Sequence, residues 1–136
     1  ADLRSRPAWT EKSDPVLINT YAMAAAYSAN EDGTIDLPFD TTTGMLRDDV
    51  WQRWLAWDPV RMVPGHAAEL AGMRAIYVDA GTRDEFFLDL GAQAFVDALR
   101  ANRIEPTFFE LFDATHMGIE YRYPLAVRHL AERLSP

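Results

Sequence analysis

An open α/β fold built on parallel strands is the class this sequence predicts, and three observations predict it. Two short runs rich in apolar, β-branched and aromatic residues, Ala75-Ile-Tyr-Val-Asp79 and Thr107-Phe-Phe-Glu-Leu-Phe112, have the length and composition of buried strands. Between them, Phe86 to Ala101 keeps helical spacing: Asp89, Gln93, Asp97 and Arg100 form a polar stripe, and Phe87, Ala94, Phe95, Ala98 and Leu99 face away from it. A strand, a crossover helix and a strand at this distance imply two parallel strands joined right-handedly. A last helical stretch, Tyr123 to Leu134 with Val127, Leu130, Ala131 and Leu134 expected inward, completes the C-terminal edge of such a sheet.

The 136 residues, 49% hydrophobic and 12% aromatic, can bury a core of ordinary domain size. Twenty-one acidic against thirteen basic side chains leave a net charge of −8, which repels phosphate backbones and anionic lipid surfaces; neither nucleic acid nor membrane is expected as a partner. With no cysteine, a disulfide scaffold, a zinc-thiolate site and a thiol nucleophile are all excluded, and a cytoplasmic location is expected. No apolar run approaches the roughly 18 residues of a membrane span. The start, Ala-Asp-Leu-Arg-Ser-Arg-Pro, has neither an initiator methionine nor a signal-peptide stretch, so a processed chain or a fragment is expected.

From the N-terminus, Asp14 to Tyr27 is the first helical segment, with Asp14 as cap, Pro15 in the first turn and an almost wholly apolar Val16 to Ala26 that needs covering. Ser28 to Gly44 carries Asn30, Asp32-Gly33, Pro38, Asp40 and Gly44, which break regular structure; Ile35, Leu37 and Phe39 are its expected anchors. Asp48 to Trp57 reads as a helix with Val50, Trp51, Trp54, Leu55 and Trp57 on one face, stopped at Asp58-Pro59 because the residue before proline is pushed out of the α region. A short helix, His66 to Ala71, ends at Gly72 and leads into the first strand. Residues 1–64 thus read as a helical and loop insertion, and 65–136 as the strand-helix-strand-helix part.

In open α/β sheets functional groups sit just beyond the carboxyl ends of the strands. The first such loop carries Asp84 after Gly81-Thr82-Arg83, the second His116 after Asp113-Ala114-Thr115, and adjacent parallel strands bring the two together. A carboxylate beside an imidazole holds its tautomer and stabilises the imidazolium formed when histidine takes a proton from a nucleophile. The same residues also fit plainer roles, an aspartate capping the next helix and a histidine bonding within a turn. Asp79 and Glu85 are alternatives to Asp84 as the acid, but the loop position favours Asp84: Asp79 is expected within the strand and Glu85 directed along the helix, with Glu85 and Asp89 exposed. His129 falls on the polar face of the last helix and His66 at a helix start, and neither is expected to be catalytic; a metal site from Asp79, Asp84, Glu85, Asp89 and His116 lacks histidine-rich spacing, so none is expected.

The stretches Gly81-Thr82-Arg83-Asp84-Glu85 and Phe109-Glu110-Leu111-Phe112-Asp113-Ala114-Thr115-His116-Met117-Gly118, with Gly118-Ile119-Glu120-Tyr121-Arg122-Tyr123-Pro124-Leu125 after them, resemble the C-terminal part of α/β-hydrolase-fold enzymes of the esterase D-like group. Upstream, Leu37-Pro38-Phe39-Asp40 and Trp54-Leu55-Ala56-Trp57-Asp58-Pro59-Val60 are similar to the insertion that such enzymes carry before the acid strand. The resemblance implies the C-terminal portion of an α/β-hydrolase fold, with Asp84 as triad acid and His116 as general base to a serine in a G-x-S-x-G elbow. No such serine is in this chain: Ser5, Ser13, Ser28 and Ser135 all lack the flanking glycines, and only Ser28 lies where a helix runs into a loop. The nucleophile is therefore expected on an N-terminal hydrolase half or a second chain, and this chain alone is expected to be inactive.

The function expected from the resemblance is hydrolysis of a small carboxylic ester through an acyl-enzyme, without metal or organic cofactor. Trp51, Trp54 and Met117 are candidate pocket residues, although clustered tryptophans equally serve packing. Two other classes remain open. A non-catalytic module would associate with itself through the uncovered strand edge; a small-ligand-binding α/β domain would use the same strand ends, without any glycine-rich phosphate cradle in the sequence.

Overall fold

The computed structural model describes residues 11–135. The chain forms two compact units, one reaching to Trp57 and the other starting at Asp58, so residues 58–64 fold with the second unit rather than with the N-terminal region.

In the first unit, α1 (Asp14–Tyr27) and α2 (Asp48–Leu55) flank a loop containing two isolated antiparallel bridges, Ala29 with Ile35 and Phe39 with Leu46. Helix α1 begins at Asp14 itself, whose buried carboxylate accepts the Glu11 N–H at 2.8 Å. Its apolar surface is largely uncovered: Ala24 is buried, whereas Val16, Tyr21, Met23 and Tyr27 are exposed. The loop closes on short-range polar bonds instead. Asp32 accepts from Thr34, Asp40 accepts the N–H groups of Thr42 and Thr43, and Asp36 ties Asn30 to Arg47 and Arg53. The expected anchors Ile35, Leu37 and Phe39 are half-buried, and Pro38, expected only to break regular structure, is buried.

The second unit runs α3 (Pro59–Met62), a 3-10 turn (Val63–His66), α4 (Ala67–Ala71), β1 (Tyr77–Gly81), α5 (Leu88–Ala101), β2 (Phe108–Phe112), a second 3-10 turn (Glu120–Arg122) and α6 (Tyr123–Leu134). It is a small α/β arrangement in which β1 and β2 pair in parallel, Tyr77 opposite Phe108 through Gly81 opposite Phe112. Asp58 starts α3 by accepting the Val60 N–H at 3.0 Å, which lets the chain turn back into helix directly after the break at Pro59.

Strand alternation sends the two faces of the sheet to different partners. On one side lies the core, in which Val63, Leu99 and Ile104 are buried among Ala67, Leu70, Ile76, Phe95 and Ala98. The inward edge of α5 is therefore Val96 and Leu99 with Phe95 and Ala98, while Ala94 and Phe87, both expected inward, are exposed. On the other side Tyr77 stacks on Phe108 with ring centroids 4.4 Å apart, and the His129 ring meets both edge-on.

That contact corrects the expected orientation of α6. His129 points to the sheet and bonds the Thr107 hydroxyl through Nε2 at 2.9 Å, whereas Val127, Ala131 and Leu134 face outward. Arg122 sets the phase of the helix. Its buried guanidinium bonds Asp79 through Nε at 2.9 Å, reaches Glu110 through Nη2 and lies 4.3 Å from the Phe112 ring centroid. Burial opposes its charge, but the hydrogen bonds and fields of Glu110 and Asp79 outweigh that and hold it protonated more firmly than a free arginine. Among the described residues no helix is long and apolar enough to cross a membrane.

Candidate active site

The carboxyl ends of β1 and β2 open into two loops that are laced together by main-chain bonds. Thr82 donates to the Phe112 carbonyl at 2.8 Å, and Arg83 to the Ala114 carbonyl at 2.9 Å. The close approach depends on Gly81: a Cβ placed there would lie 2.4 Å from the Ala114 carbonyl oxygen and 3.0 Å from that of Thr115. At the rim, Arg83 pairs with Asp113 at 2.6 Å in solvent.

These loops place Asp84 and His116, distant in sequence, in direct contact. His116 Nδ1 lies 3.0 Å from Asp84 Oδ2, with the Asp84 side chain 4% exposed and the imidazole 38% exposed. Asp84 opens a tight turn in which its N–H donates to Gly81 and its carbonyl accepts from Phe87. Its other carboxylate oxygen accepts the Phe86 N–H at 2.8 Å. The turn puts Phe87 in the left-handed region at φ 59°, which delays α5 to Leu88, two residues beyond the expected start.

Burial pushes the Asp84 carboxyl up, but the Phe86 N–H, the hydrogen bond and charge of His116 and the Leu88 N–H together bring it below its ordinary value. An ionised carboxylate can only accept, so His116 carries its neutral-state proton on Nδ1 and its lone pair on Nε2. No described residue bonds Nε2. Such an arrangement can serve as a general base: the inner ring nitrogen is held by a buried anion, and the outer one is open to a proton donor.

Glu85 departs from expectation. Rather than pointing along a helix, it sits in the turn ahead of α5, and its Oε2 accepts the His116 main-chain N–H at 3.1 Å. Its own N–H and that of His116 hold its carboxyl below the usual range, against the opposing effects of burial and of Asp84. The Phe86 ring stands edge-on to the imidazole, with centroids 4.9 Å apart. Neither neighbour was expected to touch His116; the one available signal was that both adjoin Asp84.

Met117 follows His116 and is 70% exposed, with Phe86 and Phe87 also open to solvent. Trp51 and Trp54 belong to the first unit, where their rings lie 6.1 Å apart and Trp54 meets Tyr27 edge-on. The Trp54 indole donates to Ser28 Oγ at 2.9 Å. That hydroxyl is fully buried, 2.6 Å from the Asp36 carbonyl and 3.1 Å from that of Ala24, so Ser28 is a structural joint with no free hydroxyl for attack. Asp79 is committed to Arg122 and to the Tyr77 hydroxyl, and among the described residues no three His, Asp or Glu side chains gather as metal ligands. His66 is exposed at the end of its 3-10 turn.

Comparison of the chain with family models and with curated protein sequences returned no match.

Proposed function

We propose that this chain is the C-terminal part of a serine-dependent carboxylic ester hydrolase of α/β-hydrolase fold, supplying the acid and the base to a serine held on another segment or on a partner chain. The observation that carries the proposal is the Asp84–His116 hydrogen bond of 3.0 Å, formed between loops at the carboxyl ends of adjacent parallel strands. The resemblance of those same loops to esterase D-like enzymes supports it.

In this reading His116 Nε2 takes the proton of the serine hydroxyl as its oxygen attacks the ester carbonyl. Asp84 stabilises the imidazolium, which then gives the proton to the departing alkoxide. Water enters, loses a proton to Nε2, attacks the acyl-enzyme and releases the acid as the proton returns to serine. No metal or organic cofactor takes part. The substrate class is a small carboxylic ester, with Met117 beside the base; the site of action is the cytoplasm.

A fluorophosphonate probe applied to the native protein, followed by intact mass under denaturing conditions, locates the serine. The expected result is a label outside the residues of this chain, together with turnover of a short-chain p-nitrophenyl ester. Asp84→Asn and His116→Ala then lower kcat/KM by about 10⁴ in protein that still folds. Absence of both label and turnover in native material, or undiminished turnover in either variant, overturns the proposal.

One observation favours a second reading, that of a self-associating module. The sheet has only two strands among the described residues, so β1 keeps one edge without a strand partner.

A further inference from the structure

We infer that Glu85 is a positioning residue for the base, holding the main chain of His116 while Asp84 holds its ring. The inference rests on the hydrolase reading above and adds a residue to its machinery. Two consecutive carboxylates grip one histidine at two points: Asp84 Oδ2 at Nδ1, 3.0 Å away, and Glu85 Oε2 at the peptide N–H, 3.1 Å away.

A single contact to Nδ1 leaves the imidazole free to swing about the Asp84 oxygen and carry Nε2 away from its proton donor. Fixing the peptide nitrogen as well defines where Cα stands, and with it the line from Cα through the ring to Nε2. The loop needs this second hold. Gly118 follows in the left-handed region, at φ 77°, with open space where a Cβ would stand, and the Thr115 hydroxyl donates forward, to the Met117 carbonyl. The edge of the Phe86 ring, carried on the same turn as Glu85, closes one side of the imidazole. A misplacement of about 1 Å at a reacting atom is enough to cost about a hundredfold in rate, so a contact remote from the chemistry has a direct kinetic consequence.

The test compares Glu85→Ala with Glu85→Gln in the native protein labelled with ¹⁵N-histidine. Glutamine retains an acceptor oxygen of the same reach; alanine retains none. In Glu85→Ala the His116 amide proton is expected to move upfield and exchange with solvent about tenfold faster, while the signals of His66 and His129 stay in place. Turnover of the p-nitrophenyl ester falls in kcat by about tenfold or more, with KM changed by less than about twofold. Glu85→Gln restores both the amide signal and kcat. An unchanged His116 amide in Glu85→Ala overturns the inference, as does a kcat loss that Glu85→Gln shares in full, since that would assign the effect to charge. Loss of the amide contact in a native protein that never turns over ester fails the hydrolase reading instead, and with it the kinetic role of Glu85, leaving the contact as a loop tie.

Discussion

At the scale of single residues, the site is a set of acceptors arranged around one imidazole. Asp84 is buried yet titrates lower than an ordinary aspartate, because the Phe86 N–H and the His116 ring outweigh the cost of burial. The folded state therefore favours the ionised form. Its contribution to stability is fully present above the ordinary value of 3.8 and is lost as pH falls through the lower native value. The advantage of the wild-type protein over Asp84→Asn in urea midpoint is accordingly expected at pH 6 and expected to shrink below 3.8; a gap that stays constant down to pH 2.5 contradicts this assignment. The pairing of Asp84 and His116 was legible in the sequence, since each follows an apolar run and the helix between the runs makes the strands parallel neighbours. Glu85 and Arg122 were not. Glu85 was hidden because a turn with a left-handed Phe87 delays the helix, and nothing in a phenylalanine signals positive φ. Arg122 was hidden because its partners, Asp79 and Glu110, are opposite residues on paired strands, a relation set by register and absent from local spacing.

At the scale of elements, α1 and α6 span the expected residues, as segments bounded by prolines and turn formers allow. The strands are less literal: β1 is displaced toward Gly81 relative to the apolar run, because pairing with Phe108–Phe112 sets its limits and composition does not. The face that α6 turns to the sheet was only partly legible in hydropathy, since Leu130 is half-buried as expected but His129, edge-on to Tyr77 and Phe108, takes an inward position while Val127 and Leu134 stay outside. Replacing Arg122 by methionine strands two carboxylates beneath α6 and is expected to cost about 3 kcal/mol in denaturant unfolding; a loss under about 1 kcal/mol would mean that the helix is held by the ring contacts alone. Gly81→Ala tests the junction of the loops. Its Cβ cannot fit against Ala114, and the strain is expected to cost about 1–3 kcal/mol, with ester turnover lost in parallel. Unaltered stability and turnover would show that the His116 loop moves aside without consequence.

At the scale of the whole molecule, apolar surface is exposed on several helices. Val16 and Met23 on α1, Leu90 on α5, and Val127 and Leu134 on α6 are all open to water. The two parallel strands among the described residues are also fewer than such sheets normally need for independent stability. The purified chain by itself is therefore expected to bind the dye ANS and to sediment with a concentration-dependent increase in mass, and a dye-silent monomer across a hundredfold range of concentration would refute this. The net charge of −8 works against that association, so raising salt is expected to strengthen it. A different consequence follows from Gly81. Because the main chains after β1 and β2 touch there and exchange hydrogen bonds through Thr82 and Arg83, the two loops cannot change length independently. Insertions between Asp113 and His116 disturb the acid as well as the base, whereas the open backbone at Gly118 offers slack. Diversification of this scaffold, by evolution or in a library, is thereby channelled past the histidine to the segment that begins at Gly118.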